Sequence, residues 1–337
     1  MRRLIPVIAC LLFACSSDPG SADPEDTTPD ASSGLDANAS SPDAAADVSP
    51  DAPPALDAGG VDAGVDDAGR DAGRDADTTS TEGLSPCEVT AALVDCPKNT
   101  TTLLTDLGGL TPREVHWQNP EGDPPAGGWP VVLLFQGTGL SSEEGWELTP
   151  DAPFGGYYQA LLTHELLDAG FSVLAPEVRL DGSTYWDTNI SPWSISWTLS
   201  GDHQVMLDIF DELEAGAFGP ADLGRMYATG ISSGGYMTSR MAEAYAGRFR
   251  ALAIQSASYA WCAGALCTIP SELPENHPPT LFLHGATDAI VPLRTMNLYY
   301  DALIADGVEV SRTVDPDLGH EWLPSAPDQI TAWFLAR

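Results

Sequence analysis

Three side chains far apart in this 337-residue chain could do together what none does alone: the hydroxyl of Ser232, the carboxylate of Asp288 and the imidazole of His320. Ser232 lies in Gly230-Ile231-Ser232-Ser233-Gly234-Gly235, between the apolar stretch 226–231 and a helix-compatible stretch 236–245. That order is strand, sharp turn, helix. A serine at the tip of so tight a turn is held in a strained backbone conformation, and glycines around it let neighbouring segments pass close by. A glycine-rich turn without chemistry would present the same five residues, so the decision rests on what else the chain offers. A serine hydroxyl is a weak nucleophile until a base removes its proton, and the base must be fixed in one tautomer by a third group. Asp288 follows the apolar run 281–283 in His284-Gly285-Ala286-Thr287-Asp288, and His320 follows the apolar stretch 308–314 in Asp315-Pro316-Asp317-Leu318-Gly319-His320. Ser232 is read as nucleophile, Asp288 as orienting carboxylate and His320 as base. Two sets of rivals stand beside them. His284 could be the base, although at the very end of its strand it is better suited to bonding backbone and ordering the Asp288 loop. Asp315 and Asp317 could replace Asp288. His116, His164, His203 and His277 are read as surface or structural. The oxyanion formed on attack needs donors already aimed at it. The backbone N–H of Ser233 is one candidate. The N–H of Thr138, or less favourably Gly137, after the apolar run 131–135 is the other. Such chemistry needs neither a metal nor an organic cofactor.

Three loops can converge only if strands and helices place them on one rim. Stretches 131–135, 171–175, 226–231, 251–254 and 280–283 are short and apolar, as strands buried on both faces are. Helical patterns fall between them at 157–168, 202–215, 236–245 and 292–305, with a last strand at 308–314 and a closing helix at 328–336. Asp202 is taken as the cap of its helix, with Gly216 and Gly219 ending it. Alternating strands and helices predict an α/β fold with a mainly parallel central sheet and helices on both faces. Reactive groups in such sheets gather at the carboxyl ends of the strands.

The rest of the chain divides by composition. Arg2 and Arg3, an apolar run and Cys15 have the order of a signal peptide over residues 1–15, too short to span a bilayer as a helix. Leu12-Phe13-Ala14-Cys15 resembles a bacterial lipobox, with Cys15 lipidated; cleavage near Ser17 as an ordinary secretory signal is the alternative. Residues 16–86 are nearly all Asp, Ala, Gly, Ser, Pro and Thr, with no aromatic side chain to build a core, and are read as a disordered tether. An Asp-rich calcium-binding repeat is the rival reading, although the spacing is irregular. Residues 87–337 form the expected catalytic domain. Their 32 acidic and 10 basic residues give a formal charge of −22, which argues against nucleic acid as a partner. Contact with a membrane is expected only through an N-terminal lipid, and the chain is read as a monomer. Four cysteines in two close pairs in an exported chain suggest Cys87 with Cys96 and Cys262 with Cys267; a zinc site is the rival.

The stretch YATGISSGGYMTSRMAEAYAGRFRALAIQSA, with HGATDAIVP and GHEW downstream, resembles secreted α/β-hydrolases of the polyhydroxybutyrate depolymerase and feruloyl esterase group. The resemblance covers roughly residues 129–337. It implies an α/β-hydrolase fold and the same roles for Ser232, Asp288 and His320. Its implied substrates are carboxylic esters outside the cytoplasm, either polyester or esters on plant polysaccharide. Relatives commonly carry His-Gly at the oxyanion loop where this chain has Gln136-Gly137. Oligopeptidase-like hydrolases share the elbow and the residue order, so peptide hydrolysis is a second reading, and a surface lipoprotein without activity a third. Trp186, Trp193 and Trp322 are candidates for holding substrate, against the plainer reading that such rings pack their loops on the domain. Ser16 beside the lipidation candidate resembles an outer-membrane sorting signal. An outer-membrane or cell-surface lipoprotein, or else a secreted protein, is therefore expected.

Overall fold

A computed structural model describes residues 83–105, 111–178 and 185–337, all within the unit Ala76–Arg337. The expected signal peptide, Cys15, the tether up to residue 82 and positions 181–184 of the tryptophan-rich section lie outside the described residues. Leu84 and Ser85 already bond to the folded part, through Glu121 N–H and the His164 ring.

In chain order the elements are β1 (Glu88–Val89), β2 (Val94–Asp95), β3 (Asn99–Thr105), β4 (Thr111–Gln118), β5 (Trp129–Phe135), β6 (Glu147–Leu148), α1 (Gly156–Asp168), β7 (Ser172–Pro176) and α2 (Gly201–Ala215). They continue as β8 (Ala221–Ile231), α3 (Ser233–Ala244), β9 (Ala251–Gln255), β10 (Thr280–Gly285), α4 (Leu293–Ala305), β11 (Val310–Asp315) and α5 (Ala326–Leu335). Eight strands make the main sheet in the order β11-β10-β9-β8-β5-β7-β4-β3. Only β4 runs against its neighbours on both sides; the other pairings are parallel. β1, β2 and β6 form a small antiparallel sheet.

β5 sits in the middle and all seven of its residues are buried. Its side chains alternate between faces with the two-residue period of a strand. Val132 and Leu134 join a core built from α1 and α5, including Leu162, Leu166, Ile330 and Phe334. Val131, Leu133 and Phe135 join the opposite core, with Met206 and Ile209 of α2 and Met237 and Met241 of α3. A third cluster packs α4 through Met296, Tyr299 and Leu303 onto Ile254 and Phe282. This is the α/β architecture expected, with both faces covered.

Three local features depart from expectation. Ser200 caps α2, its hydroxyl accepting the Asp202 N–H, while Asp202 itself is buried in the first turn and takes Arg113 Nη2 at 2.6 Å. The β3–β4 hairpin was not foreseen, because β3 is a threonine-rich edge strand without an apolar run. β8 begins five residues earlier than the apolar stretch, with a register shift where it meets β5. Both cysteine pairs are joined as disulfides, with S–S distances of 2.02 Å for Cys87–Cys96 and 1.95 Å for Cys262–Cys267. No helix among the described residues is long and apolar enough to cross a membrane.

Candidate active site

Between β8 and α3 the chain reverses at Ser232, whose φ of 56° and ψ of −120° lie in a region few residues other than glycine adopt. Such strain costs on the order of 1–3 kcal/mol and persists only where the surroundings enforce it. Here they do. Ser232 N–H donates to the Gln255 carbonyl at 3.1 Å, and the Ser232 carbonyl accepts from Tyr236 N–H at 3.0 Å. The flanking glycines are required by close approach: a Cβ on Gly230 would stand 2.5 Å from the Phe135 carbonyl oxygen, and one on Gly234 2.1 Å from the same atom. β5 thus passes directly against the turn. Ser232 is partly exposed, while the first ten residues of α3 are buried.

Past the end of β10, Asp288 is buried and His320 Nδ1 lies 2.7 Å from its Oδ2. The other carboxylate oxygen accepts N–H groups of Ile290 and Val291 at 2.9 and 2.8 Å. Burial pushes the Asp288 carboxyl up, but hydrogen bonds from His284, His320 and the Val291 N–H outweigh it. The group is held well below the usual carboxylate range. An ionised carboxylate at Nδ1 fixes that nitrogen as the one bearing hydrogen, which leaves Nε2 of a neutral ring as an acceptor. His284, the rival base, is fully buried; its Nε2 lies 2.8 Å from the Val291 carbonyl and 3.4 Å from Asp288 Oδ2. It orders the aspartate loop. Asp315 turns its Oδ1 to the N–H groups of Asp317 and Leu318, closing a tight turn.

The loops carrying Asp288 and His320 are stitched together. Ala286 N–H donates to the Asp315 carbonyl at 2.7 Å and Thr287 N–H to the Leu318 carbonyl at 3.0 Å. A second tie runs to the elbow. Gln255 Nε2 and Ser256 Oγ both donate to the Glu321 carbonyl, at 2.8 and 3.2 Å. Gln255 therefore holds Ser232 with its carbonyl and the residue after His320 with its side chain. Gln255 and Ser256 lie within the stretch that carries the family resemblance, but no role is read for either from the sequence.

On the other side of Ser232 the loop after β5 is anchored by Glu177, which immediately follows β7. One of its carboxylate oxygens accepts Gln136 Nε2 and Val178 N–H, both at 2.9 Å. The other accepts Ser141 Oγ at 2.8 Å, Ser142 N–H at 2.9 Å and Ser142 Oγ at 3.0 Å. Gln136 points into the core, and its loop closes without the histidine common in relatives. Thr138 is exposed at the head of this loop and Ser233 is buried at the start of α3. Glu177 carries no sequence signal beyond standing at a strand end.

Two of the three tryptophans weighed as substrate candidates against plain packing do not face the surface. Trp186 is fully buried, its indole N–H donating to the Gln136 carbonyl at 3.1 Å and its backbone N–H to Ser233 Oγ at 2.9 Å. Trp322 is fully buried with its indole N–H on Gln159 Oε1 at 3.0 Å. Each indole found its partner in the core, as buried tryptophans usually do. Trp193 is half-buried. The remaining histidines are structural: His116 bonds Thr100 from the buried side of β4, His203 stacks on Tyr245, and His277 is buried against Tyr299.

No protein-family model matches the chain. A poly(3-hydroxyoctanoate) depolymerase from Pseudomonas fluorescens is 47% identical over 246 residues, covering 73% of this chain and 87% of that protein. A thermostable esterase of known structure superposes with a TM-score of 0.52 at 18% identity, over 71% of this chain and 62% of its own. A ferulic acid esterase does so with a TM-score of 0.50 at 14% identity, over 71% of this chain and 97% of its own. These structures share the fold.

Proposed function

We propose, for a chain that belongs to the poly(3-hydroxyoctanoate) depolymerase family of α/β-hydrolases, a serine esterase acting outside the cytoplasm on aliphatic polyester. His320 Nε2 takes the hydroxyl proton of Ser232 as Oγ attacks the ester carbonyl carbon. The tetrahedral oxyanion is met by the N–H groups of Ser233 and Thr138, the first also at the positive end of α3. Collapse expels the alcohol, which receives the proton from His320, and leaves an acyl group on Ser232. Water then attacks with His320 as base, the carboxylic acid departs, and Ser232 Oγ recovers its proton. Asp288 stabilises the imidazolium formed in both halves without accepting its proton. Plant polysaccharide esters are the weaker alternative, since the 47% identical relative is named for a polyester.

The observation that carries the reading is the 2.7 Å bond between His320 Nδ1 and Asp288, with Gln255 tying the next residue to the strained serine. A fluorophosphonate probe should label wild type and not Ser232→Ala. A panel of p-nitrophenyl esters against peptide nitroanilides should give turnover on the esters. Peptide turnover alone, or no labelling, would overturn the proposal. Export with a lipid on Cys15 belongs to the same reading; mass spectrometry of the mature amino terminus tests it.

A further inference from the structure

The two walls of one surface groove are pinned to neighbouring residues of the elbow helix. Arg240 of α3 donates from Nη2 to the carbonyls of Thr188 and Ser194, at 2.6 and 3.2 Å, and so fixes the turn that carries Ile195. Ser239 Oγ accepts the Ala260 N–H at 3.0 Å and fixes the start of the opposite wall, which carries Trp261 and Leu266. Asn189 Nδ2 joins one wall to the other through the Cys262 carbonyl at 3.1 Å. The Cys262–Cys267 disulfide and paired backbone bonds between Ala263 and Leu266 close the second wall into a tight turn. Between the walls lies a groove of about 480 Å³.

Its lining is largely apolar and carries no charge. Ile195, Leu266 and Trp261 line it while 84%, 80% and 44% exposed, and none of its lining side chains is ionisable. Single exposed apolar residues are ordinary, and Leu104 and Leu335 are examples on other elements. Three large ones converging on a single groove, in a domain with a formal charge of −22, are not. One wall is anchored on the helix that begins just after Ser232. Ser239 stands seven residues along α3 from Ser232, roughly 10 Å at the helical rise. The disulfide turn also lies close to the Asp288 loop, for a Cβ on Gly264 would be 3.2 Å from the Ile290 carbonyl.

We propose that this groove seats a neutral aliphatic segment of the polyester chain, beside the ester presented to Ser232. The inference rests on the esterase reading above. An uncharged, apolar channel desolvates at little cost and gains from covering alkyl side chains, at about 25 cal/mol per Å² of apolar surface removed from water. An anionic partner would meet the repulsion of the surrounding acidic domain. Rigid walls mean that little order is lost on binding.

Binding can be read apart from turnover by working in a Ser232→Ala background and measuring depletion of the full chain from solution by poly(3-hydroxyoctanoate) particles, with cellulose as control. Ile195→Asp with Leu266→Asp should lower retention on the polyester by at least tenfold, and Ile195→Asp with Leu266→Met, which keeps an apolar side chain at one position, should lower it less. Both positions are exposed, and an unchanged melting temperature verifies the fold. Undiminished retention of the double aspartate variant would overturn the proposal. So would a shift in its sedimentation from dimer to monomer with retention intact, because the groove would then join two copies of this chain. Failure of the wild type to hydrolyse any p-nitrophenyl ester would instead strike the esterase reading, leaving the particle measurement to judge the groove alone.

Discussion

Two histidines on opposite sides of the sheet have opposite fates: His277, just before β10, and His320, on the loop after β11, which meets the Asp288 loop past the carboxyl end of β10. At the amino end His277 is buried, with Nδ1 2.8 Å from the Pro278 carbonyl and Nε2 2.5 Å from the Tyr299 hydroxyl. A neutral ring satisfies both, donating from Nδ1 and accepting at Nε2. Burial pushes its pKa down from 6.5 to about 4, which the Pro278 backbone bond and the charge of Asp306 oppose only in part. At the carboxyl end Asp288 is ionised and aimed at His320, whose loop is fastened to the elbow through Gln255. The length of the sheet thus separates a histidine that packs in the core from one whose Nδ1 is held by a carboxylate at the carboxyl rim. What separates them is the carboxylate, and with it the edge of the sheet where loops rather than hairpins and turns of core meet.

The comparison breaks most sharply if chemistry survives loss of the carboxyl-end groups. Ser232→Ala should lower ester turnover on the order of 10⁶-fold with the melting temperature little changed, measured with a soluble p-nitrophenyl ester. Retained turnover would mean the nucleophile lies elsewhere. Asp288→Asn should lower kcat by on the order of 10³–10⁴-fold, because an amide at that place can present N–H to the ring and favour the wrong tautomer. By contrast His277→Phe, at the other end of the strand, should leave the remaining turnover of the folded protein near that of wild type.

Stability against pH sharpens the same contrast. Between about pH 6.5 and pH 4 the unfolded chain protonates the residue 277 imidazole while the folded chain does not, so proton uptake favours unfolding. The stabilisation is complete above pH 6.5 and is lost as pH falls toward 4, about 3 kcal/mol in all. Asp288 behaves in a lower window. Its depressed pKa gives stability that is present above the unfolded value near 4 and is lost only on further acidification. Denaturant melts of wild type and His277→Phe across pH 4–7 should therefore show a flatter profile in the variant. Parallel profiles would remove His277 as the cause.

Much of this was legible in the sequence because it depended on residue type and local pattern. Apolar runs named the buried strands, and the residues just past three of them named Ser232, Asp288 and His320 as candidates. Paired cysteines named both disulfides. What escaped was whatever depends on a polar contact between distant segments. Gln255 and Glu321, Glu177 and Gln136, Arg113 and Asp202 are each far apart in sequence, and no spacing rule links them. The β3–β4 hairpin escaped because an edge strand carries no continuous apolar run. For Trp186 and Trp322 the sequence left two readings, substrate or packing, because a tryptophan in a loop does not show where its indole N–H finds a partner; both are bonded inside.

Glu177 tests how far the rule about strand ends extends. It stands at the carboxyl end of β7, as Asp288 does beyond β10, yet among the described residues its carboxylate meets donors of the loop 136–142 and the next backbone N–H. Its place suggests chemistry; its partners are those of a residue that holds the loop carrying Thr138. In Glu177→Gln one oxygen survives as an acceptor and the other becomes an NH₂ group facing donors. Part of the loop must then move or hydrate. Losing an oxyanion donor outright costs on the order of 10²–10³-fold, so a displaced one should lower kcat by roughly 10–10²-fold with less change in KM. Labelling by a fluorophosphonate should slow in step, since the phosphoryl oxygen uses the same donors. A loss of labelling rate without loss of the fold would mark Glu177 as a positioning residue. Unchanged kinetics would return it to the core, beside His277.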